Sequence, residues 1–353
     1  MKTSFVSNLT LQNTLRQTVA RAQEEQMKLQ KESVTGTYSD LGVALGVRTS
    51  RSLNMRSDLD RISSLISTNA LTTQRLAASQ LALKTMSDAA NAASNAAIMA
   101  SSGSPDQLRT AKASFADAIS MFTGAINTSF SGEYLFAGIN TDVVPVTDYL
   151  SDPMSAAKAE FDAAFADFKT TEGFATDADI TPDKMQEFID SLEALYMDPA
   201  PAAGTGWDNW SKASDQNMTS RISNAEIVQS STNANGDGMR KFALGAIIGY
   251  ELLSLGLSDE TRKVVSTATV DFMGTSITGI DQERSTLGVS EARIKQANTS
   301  LQAQKNIMTS SIVGLESIDT YEAATRLKTL ETQLEVAYTL TSKIQSMSLL
   351  NYL

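Results

Sequence analysis

The sequence predicts a mainly α-helical fold, in which the N- and C-terminal segments form a long antiparallel helical bundle or coiled coil and a small mixed α/β outer domain is inserted in the middle. Two apolar stripes carry this prediction. One repeats every seven residues without a proline, at Met273, Ile280, Leu287, Ile294, Leu301, Met308 and Leu315. The other lies near the opposite end, at Leu59, Ile62, Ile66, Leu76 and Leu83. Because such stripes must be covered by another helix, we expect them to pair as the bundle core.

The third observation is the uneven composition of the 353 residues. All six prolines lie between Pro105 and Pro201. The segment 141–257 carries 7 basic and 19 acidic residues, whereas the flanks carry 22 basic and 21 acidic residues. The net charge of −11 therefore belongs to a central insertion, which we expect to project outward into solvent.

These patterns predict three regions. Residues 1–40 and 316–353 form terminal coiled-coil segments, which we expect to be disordered in the monomer because lone helices of this length are marginal in water. Residues 41–140 and 258–315 form the long-helix bundle. Residues 141–257 form the acidic outer insertion domain.

The N-terminal half is predicted to hold three helices. Spaced apolar residues predict the first over 8–32, followed by an irregular, glycine-containing connection over 36–50. The second, over 52–100, would be about 70 Å long at 1.5 Å per residue. Ser104 and Pro105 predict a new helix start, because serine caps helices well and proline suits the first turn.

The centre is predicted to mix short strands and short helices. The run GEYLFAGINTDVVPV at 132–146 predicts a strand or hairpin, and helices are expected over 154–169 and 182–197. A second hairpin region precedes a helix over 239–257. The long heptad helix and a last helix then complete the chain.

The composition excludes most enzyme classes. The chain has no cysteine and no histidine, so it lacks thiol chemistry, the commonest metal ligand and the commonest general base. The carboxylate pairs Asp58/Asp60 and Asp177/Asp179 are interpreted as solvated surface charge. We therefore predict no catalytic, cofactor-binding or metal-binding residue, and no enzymatic activity.

Charge and hydropathy argue against two further classes of partner. Nucleic-acid binding needs a basic stripe, which this acidic chain lacks. The longest apolar run, 242–257, is short and interrupted by glycine, so no membrane insertion is expected. Residues 1–11 are too polar for a cleaved signal peptide, which by itself would predict a cytoplasmic protein.

Four stretches resemble the bacterial flagellin family of axial proteins. Residues 29–59 occupy the place of its N-terminal joint, although the usual Asp-Asp is missing, and residues 316–340 match its C-terminal joint with Asp319 in the acidic position. The Tyr-x-Phe-Ala-Gly pattern within GEYLFAGIN and the ending MSLLNYL are similar to the hook-associated members that join hook to filament, rather than to flagellin itself.

The resemblance implies a structural protein at the hook–filament junction, exported by the flagellar type III apparatus to an extracellular location without a cleaved signal peptide. The implied partners are copies of itself in a ring, another hook-associated protein, flagellin and a cytoplasmic export chaperone. Assembly would bury the terminal stripes between subunits. The predicted interface residues are Leu11, Leu15, Val19, Ala22, Leu29, Leu327, Leu330, Leu334, Ala337 and Ile344.

Three alternatives stay open. The terminal stripes could pair within one chain, which would leave the fold unchanged and alter only the source of the assembly energy. The protein could be flagellin, the bulk filament subunit. It could also be a secreted coiled-coil adhesin or effector that acts outside any flagellum.

Overall fold

The computed structural model describes residues 8–151 and 154–350, and it confirms the mainly helical fold class. The helices are α1 Asn8–Thr35, α2 Leu41–Leu45, α3 Thr49–Ala100, α4 Pro105–Ile126, α5 Ala156–Glu172, α6 Pro182–Tyr196, α7 Asp237–Leu252, α8 Asp259–Glu316 and α9 Thr320–Leu350. The strands are β1 Ser129–Phe130, β2 Glu133–Tyr134, β3 Thr219–Arg221 and β4 Ile227–Gln229. They form two antiparallel pairs, β1 with β2 and β3 with β4.

The predicted helix starts agree with the capping chemistry. Pro105 opens α4, and the Gln107 side-chain oxygen accepts a hydrogen bond from the Ser104 backbone N–H at 2.8 Å. At α5, the Ser155 hydroxyl accepts from the Lys158 backbone N–H at 3.2 Å. Each bond satisfies a backbone donor at or near the helix N-terminus, which is why these helices begin where they do.

Two local predictions are wrong in part. The connection over 36–50 contains α2 and a 3₁₀ turn at Gly46–Arg48, because Asp40 caps α2 by accepting the Val43 N–H at 3.0 Å. The apolar run over 132–146 contains only the two-residue strand β2, and its remaining residues form turns and irregular segments. The Asp40 cap is a local helix-start signal, which the prediction missed because it gave the three glycines more weight. In the run 132–146, tertiary burial decided the structure, and short-range alternation could not show that.

The chain divides into two compact units. The terminal unit comprises residues 1–64 and 302–353, and therefore holds α1, α2, α9, the beginning of α3 and the end of α8. The central unit comprises residues 65–301. The predicted boundaries of the bundle and of the insertion stay predictions.

The central unit has one continuous apolar core. Most predicted bundle-core residues of this unit are buried, namely Leu76, Leu83, Met273, Ile280, Leu287, Ile294 and Leu301, whereas Ile66 is half-buried. Small residues on α3 also face this core, at Ala89, Ala93, Ala96, Ala97 and Ala100. They allow α8 to approach so closely that the Ser266 hydroxyl donates to the Ala97 carbonyl oxygen at 2.7 Å.

Residues of the predicted insertion share this core. The rings of Phe122 on α4 and Phe242 on α7 stack with centroids 4.0 Å apart. A second stack joins Tyr149, Trp210 and Trp207, and all three rings are buried. The aromatic side chains therefore act as core, as aromatic rings in close pairs usually do.

Candidate assembly surface of the terminal unit

The terminal helices pair within one chain. Helix α1 packs along α9, and the Gln23 side-chain amide donates to the Tyr338 hydroxyl at 2.6 Å. Leu29 and Leu334 are the most buried of those predicted interface residues whose side chains are described, at 7% and 5% exposure. The structure thus shows the intrachain pairing that the sequence left as an alternative.

This pairing leaves most of the predicted interface residues partly uncovered. Six of them are half-buried: Leu15, Val19, Ala22, Leu327, Leu330 and Ala337. The side chains of Leu11 and Ile344 lie outside the described part of the structure. Their role between subunits stays a prediction. The two predicted core residues of this unit, Leu59 and Ile62, are half-buried and buried respectively, and Met308 and Leu315 of the heptad stripe are half-buried.

A short β-bridge joins the ends of α1 and α8. Thr37 pairs with Ser317, the Tyr38 N–H donates to the Glu316 carbonyl oxygen at 3.1 Å, and the Ile318 N–H donates to the Gly36 carbonyl oxygen at 3.0 Å. Gly36 has φ of +69°, a left-handed conformation that glycine adopts without steric cost. These bonds hold the two joints of the chain together.

The side chain of Glu316 lies buried under this bridge. Its carboxylate accepts hydrogen bonds from the Arg56 Nε at 2.9 Å, from the Arg56 Nη2 and from the Ser52 hydroxyl. The bonds from Arg56 and Ser52 and the charge of Arg56 lower the pKa of Glu316, although burial opposes the shift. Sequence reasoning missed this cluster, because 260 residues separate Arg56 from Glu316.

Asp319 starts the last helix. Its Oδ1 accepts the backbone N–H groups of Tyr321 at 2.9 Å and Glu322 at 3.1 Å. The carboxylate also suits the positive end of the helix dipole. The acidic position that the resemblance singled out therefore has a capping role.

Many apolar side chains of the terminal unit remain exposed. We call them the exposed apolar set: Met27, Val34, Val43, Val47, Leu53, Ile307, Val313, Tyr321, Val336 and Leu340. On α9, Val336 and Leu340 line an open groove of about 370 Å³ together with Glu335, Thr339 and Lys343. Single exposed apolar residues are ordinary, but so many on one small unit indicate a surface for protein contact.

A second cavity lies beside the joint, and we call it the joint pocket. It has a volume of about 180 Å³. Its lining residues are Leu29, Glu32, Tyr38, Ile318, Asp319, Glu322, Ala323 and Arg326. The pocket therefore combines an apolar floor with three carboxylates and one guanidinium.

The described residues contain no group of three or more metal-ligating acidic side chains, and none of the described helices is long and apolar enough to cross a membrane. Asp58, one of the paired carboxylates, forms an ion pair with Arg61 at 3.0 Å.

Comparison with known proteins identifies the family. The model of the bacterial flagellin N-terminal helical region matches residues 6–141, and that of the C-terminal helical region matches residues 270–353, so that together they span more than half of the chain. No curated protein matches the chain in sequence.

Two solved structures share the fold. One is described as a flagellar hook-associated protein of Vibrio parahaemolyticus, with 9% identity, a TM-score of 0.51, and coverage of 76% of this chain and 96% of that one. The other is Bacillus cereus FlgL, with 10% identity, a TM-score of 0.50, and coverage of 73% and 98%. The chain belongs to the bacterial flagellin family and is a structural axial protein of the bacterial flagellum.

Proposed function

We propose that this chain forms the junction between the flagellar hook and the filament, as a ring of identical subunits. The observation that carries the proposal is the exposed apolar set of the terminal unit, which remains after α1 and α9 have paired. Fully burying one such aliphatic side chain contributes about 1.5–3 kcal/mol. A neighbour that covers several of them would therefore supply a large share of the assembly energy.

The junction is favoured over the bulk filament by two likenesses. The GEYLFAGIN segment and the MSLLNYL ending are similar to hook-associated members of the family. Both solved structures described above are hook-associated by name or description, and they share the fold of this chain. The proposed partners are a second hook-associated protein on the hook side, flagellin on the filament side and an export chaperone in the cytoplasm.

The terminal segments are proposed to order during assembly. Among the described side chains of α1, only Leu29 and Glu32 are buried, so the intrachain pair covers little apolar surface. Helices in proteins gain most of their stability from tertiary packing, and the α1–α9 pair has little such packing. Such segments also suit export in an unfolded state without a cleaved signal peptide, followed by folding outside the cell.

The segment 141–257 is proposed to face outward. It carries most of the excess acidic charge, and like charge on subunit exteriors keeps them separate in solution. Its aromatic side chains pack in or against the core of the central unit and are therefore not available as a contact patch.

The test is a gene deletion. We expect cells without this protein to build hooks, to lack filaments and to release flagellin into the medium, and we expect the full-length gene to restore motility. Normal filaments in the deletion strain would contradict the junction role. Unchanged motility would instead favour the secreted adhesin or effector.

The alternative of flagellin itself has a separate test. Purified flagellin should polymerise alone into long filaments, whereas a junction protein should not. Electron microscopy of the purified chain under polymerising conditions distinguishes the two. Long filaments from this chain alone would assign it to the filament.

A further inference from the structure

The joint pocket is an apolar and acidic cavity that no segment of the described chain fills. Leu29 and Ala323 form buried parts of its floor, and Ile318 is half-buried beside them. Its volume of about 180 Å³ is far above the about 10–15 Å³ that one water molecule needs on the same measure. A branched aliphatic side chain or a guanidinium group could therefore enter, but a whole helix could not.

The pocket has excess negative charge. Arg326 is already paired with Glu322 at 2.7 Å, while Glu32 accepts only the Ser39 backbone N–H at 2.9 Å. Asp319 caps α9, and the helix terminus offsets its charge only partly, by about half an elementary charge. With three carboxylates against one guanidinium, the pocket favours binding of a cationic group.

The same unit carries an exposed segment that is also apolar but has the opposite charge. We call it the joint ridge, and its residues are Val43, Val47, Arg48 and Arg51. Val43 and Val47 are 75% and 98% exposed. Arg48 and Arg51 are exposed as well. In the described part of the chain, the side chain of neither residue forms a hydrogen bond or an ion pair. Within one chain, this apolar and basic surface is left uncovered.

We propose that the joint ridge of one subunit docks into the joint pocket of a second copy of the chain. Val47 would contact the apolar floor, and Arg48 and Arg51 would face Glu322 at the exposed rim and the buried carboxylate of Glu32 inside the pocket. Ridge and pocket are different surfaces of the same subunit, so the contact is head-to-tail, and repeated contacts of that kind close into rings or continue as helices. This inference rests on the proposed self-assembly and names the surfaces that perform it.

The test exploits the absence of cysteine from the native chain. A strain lacking the wild-type gene expresses two full-length variants with different tags, Val47→Cys and Glu322→Cys. Oxidation of isolated hook–filament assemblies should link the two tagged chains, which can happen only between subunits. The matched control replaces Glu322→Cys by Ala324→Cys, because Ala324 lies two residues further along the same helix and is exposed but does not line the pocket.

We expect crosslinking of the Glu322→Cys pair to exceed that of the Ala324→Cys control at least about tenfold, since a disulfide needs its Cβ atoms within about 4.5 Å. Equal or absent crosslinking in assemblies that form normally would overturn the docking but leave the junction role standing. A crosslink from Val47→Cys to another axial protein would also overturn it. Failure of wild-type subunits to enter any assembly would refute the junction itself.

A second measurement covers the case in which the cysteine variants do not assemble. Arg48→Glu should reduce filaments per cell by about tenfold or more, because it puts like charges together. Lys295→Glu makes the same charge change on an exposed side chain of the central unit and should have no such effect. Combining Arg48→Glu with Glu322→Arg should restore filaments at least in part. Equal loss of filaments in the Arg48→Glu and Lys295→Glu variants would overturn the docking.

Discussion

The cluster around Glu316 gives the sharpest test of how the terminal unit holds together. Replacing Glu316 by alanine removes a carboxylate that is only 3% exposed and accepts from Ser52 and Arg56. Ser52 is buried and would lose its partner, at about 1–3 kcal/mol for an unsatisfied polar group. Arg56 is half exposed, so water would replace much of its interaction and its share is small.

We therefore expect Glu316→Ala to lower the unfolding free energy of the terminal unit by about 2–3 kcal/mol. Glu316→Gln keeps one acceptor and should lose about 1 kcal/mol. Glu335→Gln, on the exposed side of α9, is the matched control and should change little.

Urea unfolding provides the assay, because two probes separate the two units. Both tryptophans, Trp207 and Trp210, belong to the central unit, so their fluorescence reports that unit alone. Far-ultraviolet circular dichroism reports the helices of both. We expect Glu316→Ala to move the part of the circular-dichroism transition that belongs to the terminal unit to lower urea concentration. The fluorescence transition of the central unit should stay in place. Equal shifts in both, or none beyond Glu335→Gln, would refute the reasoning.

The pH dependence supplies an independent check. Because the folded-state pKa of Glu316 is lowered, its stabilisation is present above the ordinary carboxylate pKa of about 4.3 and is lost as the pH falls through the lower folded-state value. The difference in stability between wild type and Glu316→Gln should accordingly shrink below about pH 4. A difference that stays constant down to pH 2 would assign the effect to packing instead of charge.

The remaining predictions concern assembly and the core. Leu334→Asp puts a charge into the α1–α9 seam at a cost of several kcal/mol, so cells that carry only this variant should secrete it yet lack filaments. Cells with Thr332→Asp, at an exposed position, should swim normally, and normal swimming of the Leu334→Asp cells as well would disprove the role of the seam in assembly. Limited proteolysis of the monomer should remove α1 and α9, about 35 residues from each end, before it cuts α3 and α8 or the joint around Glu316, and a uniformly resistant chain would argue against ordering on assembly. Gly249→Ala should destabilise the central unit by about 1–3 kcal/mol, because the new Cβ would lie 2.3 Å from the Phe115 ring; an unchanged tryptophan unfolding transition would show that the ring moves freely.

The helices and their heptads could be predicted from the sequence for a simple reason. An apolar stripe and a side-chain cap act over a few residues, so Met273 to Leu301 and the Ser104–Pro105 start carry their own signal. The family was recognisable for the same reason, because its joints and its Tyr-x-Phe-Ala-Gly segment are short continuous stretches.

What covers each stripe depended on the tertiary structure. Periodicity states that Leu29 and Leu334 need a partner helix, but it cannot say whether that helix belongs to the same chain; here α1 and α9 supply it for each other. The Arg56–Glu316 pair and the joint pocket were likewise invisible, because each assembles residues from distant segments. Local sequence determines helices through nearby interactions, whereas only the folded chain decides which surfaces meet and which remain exposed for another subunit.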